Sequence, residues 1–184
     1  MTRIVAGAAK GRRLAVPAAG TRPTSERARE ALFNSLGTLV DLAGAHVLDL
    51  FAGTGAVGLE ALSRGAAEVW FVESDRAACD VLRRNVAAVG LSGATVRRAA
   101  VASFLAGPAP ATRFDVAYLD PPYAYADDEL ATTLDTLAAG WLAPAAIVVV
   151  ERSARGTEPR WPICVTPLKQ RRYGEGMLWY GRAQ

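Results

Sequence analysis

The chain has 184 residues, 51% of them hydrophobic, and a formal net charge of +3 with a pI near 9.1. One domain of this length can bury a sizeable core, the apolar content excludes disorder, and no run approaches the ~20 apolar residues that span a bilayer. Cys79 and Cys164 lie far apart and there is a single histidine, so no metal is expected. The opening Met1-Thr2-Arg3-Ile4-Val5 lacks the apolar stretch of a signal peptide, and the cytoplasm is the expected compartment.

Basic residues crowd the beginning. Arg3, Lys10, Arg12, Arg13, Arg22, Arg27 and Arg29 fall within the first 30 positions, where Glu26 and Glu30 are the only acids. A second group, Lys169, Arg171 and Arg172, lies near the end. A solvated basic surface and a phosphate-binding face both fit this pattern, and composition leaves both open.

The pattern of residues 1–23 predicts a small extension, with short strands at Arg3–Ala6 and Leu14–Val16 around the basic turn Gly7–Arg13. Thr24 or Ser25 can cap a helix that buries Ala28, Ala31, Leu32 and Leu36. From there to residue 184 the chain alternates apolar β-type runs with helical patterns, which predicts βαβ units and a parallel sheet. The strands are expected at His46–Leu50, Glu68–Val72, Ala94–Arg98, Asp115–Leu119 and Ile147–Val150, each nearly continuous in apolar or β-branched residues, as strands covered on both faces are. Helices are expected at Val57–Ser63, closed by Gly65, from Asp75 to about Val89, closed by Gly90, and from a cap at Asp127 to about Ala139, followed by Gly140. Cys164–Arg172 and Gly176–Arg182, joined by Tyr173-Gly174-Glu175, predict an antiparallel pair that finishes the sheet.

Three strand ends carry chemistry. The first runs into Asp49-Leu50-Phe51-Ala52-Gly53-Thr54-Gly55-Ala56-Val57-Gly58. Small residues there let the backbone turn tightly and approach a ligand, and the next helix offers free N–H groups. The glycine spacing alone also fits a dinucleotide site. Asp49 shifts the balance, because a carboxylate under the loop would repel a pyrophosphate but suits the ammonium-bearing end of S-adenosylmethionine. The second strand ends in Val72-Glu73-Ser74-Asp75, about 20 residues on, where Glu73 can accept hydrogen bonds from both ribose hydroxyls and Asp75 can cap a helix.

The fourth strand ends in Leu119-Asp120-Pro121-Pro122-Tyr123. Consecutive prolines stiffen the chain and fix the angles of its carbonyls. Asp120 and the Pro121 carbonyl then form two acceptors for the two hydrogens of an –NH₂ group. An aromatic exocyclic amine delocalises its lone pair into the ring and is a poor nucleophile. Acceptors on both hydrogens favour a pyramidal nitrogen whose lone pair can attack a sulfonium methyl in line. Tyr123 supplies a ring face for stacking a planar base.

This ordered set resembles Rossmann-like amino-methyltransferases with a D/N/S-P-P-Y/F motif. Over essentially all 184 residues the chain resembles the RsmD family of bacterial small-subunit rRNA guanine-N2 methyltransferases. The closer likeness rests on Arg3-Ile4-Val5-Ala6-Gly7, Gly11-Arg12-Arg13-Leu14, Arg22-Pro23-Thr24 with Arg27, Arg29-Glu30-Ala31-Leu32-Phe33-Asn34, and Val47–Gly58. The resemblance implies a class I fold with a mostly parallel seven-stranded sheet, an antiparallel C-terminal pair and an N-terminal hairpin. It implies methyl transfer from S-adenosylmethionine to N2 of one guanine of 16S rRNA (the family target is guanine 966) in an assembled or assembling small subunit. The catalytic motif would be Asp120, Pro121, Pro122 and Tyr123. Cofactor contacts would come from Arg22, Pro23, Thr24, Asp49, Phe51, Gly53, Gly55, Glu73, Ser74 and Ala100, and rRNA contacts from Arg3, Lys10, Arg12 and Arg13 of the hairpin. The chain departs from the family at the end of the third strand. Ala99-Ala100-Val101-Ala102 stands where a polar side chain, often Asn or Asp, usually faces the adenine amine, so backbone groups and apolar contact would hold the ring.

Other functions remain open on the residues alone. A DNA adenine-N6 or cytosine-N4 methyltransferase would use the same Asp-Pro-Pro-Tyr chemistry, but it normally needs an added recognition region. A protein-glutamine methyltransferase favours Asn at the head of the motif. A non-catalytic ribosome-assembly module that binds RNA would keep the fold, though it would have no need of Asp49, Glu73 and Asp120 together. A monomer is the default expectation.

Overall fold

The computed structural model describes residues 2–16 and 26–184. Among them, nine strands and five helices follow in order: β1 (Thr2–Arg3), β2 (Arg13–Leu14), α1 (Glu26–Leu36), β3 (His46–Leu50), α2 (Ala56–Ser63), β4 (Glu68–Glu73), α3 (Arg76–Val89), β5 (Ala94–Arg98), α4 (Val101–Leu105), β6 (Phe114–Leu119), α5 (Asp127–Gly140), β7 (Leu142–Ser153), β8 (Val165–Tyr173) and β9 (Gly176–Ala183).

Seven strands form one sheet in the order β5-β4-β3-β6-β7-β9-β8. The pairs among β3 to β7 are parallel, while β9 runs antiparallel to both β7 and β8. The order reverses between β3 and β6, so their C-terminal ends flank the switch point at which open α/β sheets bind ligands. Strand alternation divides the core. Val47, Val69, Phe71, Val116, Tyr118, Ile147 and Val149 pack with α1, α2 and α3. Leu48, Leu50, Val72, Ala117, Leu119, Val148 and Val150 pack with α4 and α5. Both faces of the central strands are dry, as their unbroken apolar runs require. No helix among the described residues is long and apolar enough to cross a membrane.

The N-terminal hairpin is docked on the body. Its two strands pair only over Thr2↔Leu14 and Arg3↔Arg13, shorter than the runs expected. Tertiary contacts hold it instead. Ile4 and Leu14 join the core, and the amides of Val5 and Ala6 donate to the two oxygens of Glu60 at 2.7 and 2.9 Å. Gly7 has φ +81°, and a Cβ there would lie 1.7 Å from the Ser63 carbonyl oxygen, so the turn presses backbone against backbone. The hairpin thus covers the outer side of α2, and this explains why every residue of that helix is buried.

Several expectations shift. The helix α1 buries Arg29, Leu32, Phe33 and Leu36, while Ala28 and Ala31 are only half-buried. Its expected cap, Thr24 or Ser25, lies outside the described residues. The N-cap of α5 is Ala126; Asp127 occupies the first turn and pairs with Arg152 Nη2 at 2.8 Å, and Glu129 accepts from the Ala126 amide at 3.0 Å. Gly140 ends α5 rather than following it. The strand β7 runs over 12 residues, far beyond Ile147–Val150, because pairing with β9 continues to Ser153. The short α4 had no cap signal in Ala99-Ala100. By contrast Asp75 caps α3 by accepting from the Ala78 amide at 2.7 Å, and Gly90 closes that helix at φ +62°.

Candidate active site

A cleft of about 870 Å³ opens at the C-terminal ends of β3, β4, β6 and β7. That volume suits a nucleoside-sized ligand with a second planar group beside it. One half is built on the glycine loop. Phe51 takes φ +61° and Gly53 φ +54°, which turns the chain out of β3. A Cβ on Gly53 would meet nothing within 4 Å, so this backbone faces the open cleft directly. Gly55 plays another part. It begins α2 at φ +78°, does not line the cleft, and a Cβ there would stand 2.1 Å from Leu82 Cδ1. Its absence of a side chain lets α2 pack on α3.

Two carboxylates frame this half. Asp49, 1% exposed, accepts from the Gly58 amide at 2.9 Å, and burial pushes its pKa up to about 7. A cation in the cleft would relieve that burial. Glu73 accepts from the Gly53 amide at 2.8 Å through one oxygen and from the Asp75 amide at 2.8 Å through the other. The oxygen that faces Asp75 also accepts from Ser74 Oγ at 3.5 Å, while the one bound to Gly53 keeps a second lone pair, so the carboxylate is oriented and still able to take a hydroxyl donor. Phe51, Ser74 and Ala100 also line the cleft. Ala100 is the N-cap of α4 and offers no side-chain polar atom. Arg22, Pro23 and Thr24 lie outside the described residues.

The other half is built on Asp120, Pro121, Pro122 and Tyr123, all of which line the cleft. Pro121 is buried, and Tyr123 is 73% exposed and presents its ring at the mouth. The Pro122 carbonyl accepts from the Tyr125 amide at 2.8 Å, which closes the turn. The Pro121 carbonyl accepts no hydrogen bond from the described residues. Burial, then the charges of Glu151 and Asp49, raise the Asp120 pKa to about 8.

Sequence reasoning missed several residues. Asn85 of α3 accepts from the Ala15 amide at 2.8 Å and donates to the carbonyls of Ala15 at 3.0 Å and Thr54 at 2.9 Å. Tyr125 packs edge-on against Phe51 at 5.1 Å between ring centroids. Glu151 and the turn Tyr173–Gly176 complete the cleft wall. An isolated Asn or Glu inside an amphipathic pattern gives no motif; only the fold brings these side chains to the site.

The expected basic residues divide. Arg3 is paired with Glu26 at 3.0 Å, and the Arg12 guanidinium caps α3 by donating to the Ala88 and Val89 carbonyls. Lys10 and Arg13 are exposed and have no partner among the described residues. Lys169 is tied to the Ser35 carbonyl and Thr38 Oγ1 at 3.4 and 3.2 Å.

A sheet of this order, with acidic strand ends around a glycine loop and Asp-Pro-Pro-Tyr across the cleft from it, defines a Rossmann-like methyltransferase. The family model described as Conserved hypothetical protein 95 matches residues 2–182. Ribosomal RNA small subunit methyltransferase D of Escherichia coli strain K12 is 40% identical over 162 residues, 87% of this chain and 79% of that protein. The same-named protein of Haemophilus influenzae is 39% identical over 152 residues, 81% of this chain and 77% of that one. The solved structure of yhhF from Escherichia coli superposes with a TM-score of 0.88 at 34% identity, covering 100% of this chain and 98% of that one. The structure of a hypothetical protein from Thermus thermophilus gives 0.81 at 37% identity, covering 98% of each chain. The chain belongs to the family of ribosomal RNA small subunit methyltransferase D, the RsmD family.

Proposed function

We propose that the protein transfers a methyl group from S-adenosylmethionine to the exocyclic N2 of one guanine of 16S rRNA, the family's guanine 966, in the small ribosomal subunit of the cytoplasm. The observation that carries this reading is the placement of Asp49, Glu73 and Asp120 around one cleft, with the unengaged Pro121 carbonyl beside Asp120. The cleft residues fit the cofactor. Glu73 is aimed for the ribose hydroxyls, the open backbone at Gly53 for close approach, and the buried charge of Asp49 for an ammonium group. By the family resemblance Arg22, Pro23 and Thr24 would border the cofactor pocket, and Ala100 would meet the adenine through backbone and apolar contact. When bound, the cofactor supplies an electrophilic methyl on a sulfonium.

The chain's own residues do the rest. Asp120 and the Pro121 carbonyl each accept one hydrogen of the amine and hold its lone pair toward the cofactor half. Tyr123 stacks on the base. Asp120, whose proton affinity is already raised by burial, takes the proton that the amine loses once the new C–N bond has formed. Lys10 and Arg13, with Arg3 and Arg12 beside them, would meet rRNA phosphates, and the protein would act as a monomer.

The test is transfer of labelled methyl to naked 16S rRNA, to small subunits lacking the modification and to DNA, followed by mapping of the modified base. Methylation of a single guanine at N2 in rRNA or subunits is expected. Methylated DNA, or no transfer to any substrate, would overturn the reading in favour of a DNA enzyme or of an assembly module.

A further inference from the structure

Glu151 lies in β7, two residues before its end at Ser153, and lines the cleft beside Asp120. Leu119, the last residue of β6, and Val150 of β7 are register partners, so Asp120 and Glu151 each follow one of that pair, Asp120 past the end of β6 and Glu151 within β7. Both line the same cleft. The Tyr118 hydroxyl donates to Glu151 Oε2, and Tyr118 of β6 lies two residues before Asp120. No cation pairs with Glu151 among the described residues. A Cβ on Gly176 would stand 3.1 Å from Glu151 Oε1, so the absence of a side chain there leaves room for the second oxygen.

Beyond the Tyr118 hydroxyl, the groups beside Asp120 are the Pro121 carbonyl and the carboxylates of Asp120 and Glu151, which are acceptors when ionised although burial raises the pKa of both. A carboxylate with one fixed donor has lone pairs to fill, and an unfilled buried acceptor is costly. Exocyclic amines of guanine, adenine and cytosine all bring two hydrogens. They differ in the adjacent ring nitrogen. Guanine N1 carries a hydrogen, whereas adenine N1 and cytosine N3 are bare acceptors. Only guanine therefore presents three hydrogens in a row to three acceptors. Adenine or cytosine would turn a lone pair against a carboxylate, which discriminates by repulsion as well as by loss of a bond.

We propose that Glu151, held by the Tyr118 hydroxyl, accepts the N1–H of the target base and is the residue that restricts methylation to guanine. This rests on the proposed guanine-N2 reaction and assigns its base specificity. Tyr118 is a positioning residue, and burial raises its pKa well above the usual phenol range, so it stays a donor at neutral pH.

The experiment compares two substrates that carry the same amine. Synthetic rRNA fragments, or subunits reconstituted from ligated rRNA, carry either guanine or 2-aminopurine at the target position. 2-Aminopurine keeps the 2-amino group and has a bare N1. Wild-type protein is expected to favour guanine in kcat/KM. Glu151→Gln can turn its amide N–H toward a bare N1, and the guanine preference should fall by about tenfold or more. Tyr118→Phe should lower the preference by less. Thermal unfolding and cofactor binding of each variant establish that the fold and cofactor half are intact.

An unchanged guanine to 2-aminopurine ratio in a folded Glu151→Gln variant would overturn the proposal. The underlying reading fails differently, by wild-type protein methylating no guanine at N2. If Glu151→Gln does not fold, Glu151→Asp serves. It keeps the charge but draws the carboxylate back by one methylene, and an unaltered ratio with that variant likewise overturns the role.

Discussion

Asn85 donates to the Thr54 carbonyl at 2.9 Å, and this bond ties α3 to the glycine loop. The same side chain exchanges two bonds with Ala15, at 2.8 and 3.0 Å, so one buried amide clamps the N-terminal segment and the glycine-loop half of the cleft together. Asn85→Ala removes three hydrogen bonds and leaves their backbone partners without replacement. The expected cost is roughly 2–4 kcal/mol of stability, seen in denaturant melts. Affinity for S-adenosylmethionine should fall as well, since the loop at Gly53 and Thr54 loses its anchor. Unchanged cofactor affinity in a folded variant would show that the loop is held by packing alone.

If Asp49 meets the ammonium group of the cofactor as proposed, its titration is linked to cofactor binding. In the free protein its pKa is raised to about 7, mainly by burial, against an ordinary value of 3.8. A group raised in this way lowers folding stability as pH climbs from about 4 to about 7, because the unfolded chain releases the proton first. A bound ammonium reverses the preference and favours the ionised form. Affinity for S-adenosylmethionine should therefore fall on acidification below about pH 7, approaching tenfold per unit. Calorimetry in buffers of different ionisation heat should register proton release on binding at about pH 6 and little at about pH 8.5. Asp49→Asn keeps an acceptor for Gly58 and loses the charge. It should raise the melting temperature at about pH 8 more than at about pH 5, and weaken cofactor binding at the higher pH.

Asp120→Ala should reduce transfer by at least about 1,000-fold, because in the proposed mechanism it removes an acceptor that acts on the amine in the transition state. Cofactor affinity should change little, since Asp49, Gly53 and Glu73 remain. Full activity of this variant on unmodified small subunits would exclude the proposed mechanism. Asp120→Asn separates two roles. Its amide oxygen can still accept one amine hydrogen but cannot take the proton, so activity between wild type and Asp120→Ala is expected.

Much of this architecture was legible in the residues. His46–Leu50 has the bounds its apolar run predicts, because a strand dry on both faces carries an uninterrupted signal; Ala94–Arg98 also has the expected bounds, but as the edge strand it is half-buried and ends in two exposed arginines rather than being covered on both faces. The motif at Asp120 was legible because Pro-Pro after a buried strand is rare without a purpose. Glycine spacing was a poorer guide. Gly53 faces the cleft and Gly55 faces Leu82, yet both satisfy the same pattern, since close approach to a ligand and close packing of a helix demand the same missing side chain. Arg29 illustrates another limit. It counts among the basic residues of the first 30 positions, a pattern that fits a solvated or phosphate-binding surface, but it is fully buried and lies 3.8 Å from Glu60, which a one-dimensional pattern cannot register. Glu151 was invisible for a related reason. Its partner Tyr118 stands 33 positions away, and only strand pairing brings them together.

The N-terminal hairpin calls for a charge test rather than a deletion. Removing it would strip Ile4 and Leu14 from the core and leave Glu60, Ser63 and Asn85 without the backbone groups they bind, so the domain would lose stability along with any RNA contact. Lys10 and Arg13 avoid this difficulty because they are exposed and unpaired among the described residues, whereas Arg12 caps α3 and Arg3 is paired with Glu26. If both meet phosphates, the double variant Lys10→Glu with Arg13→Glu should bind 16S rRNA more weakly at every salt concentration. The slope of log affinity against log salt should become shallower by about 2 units. Melting temperature and cofactor affinity should stay near the wild-type values, because neither side chain has a hydrogen-bond or ion-pair partner among the described residues. An unchanged salt slope would place the rRNA on another face of the protein, with the exposed Arg171 and Arg172 beside the cleft as the next charges to reverse.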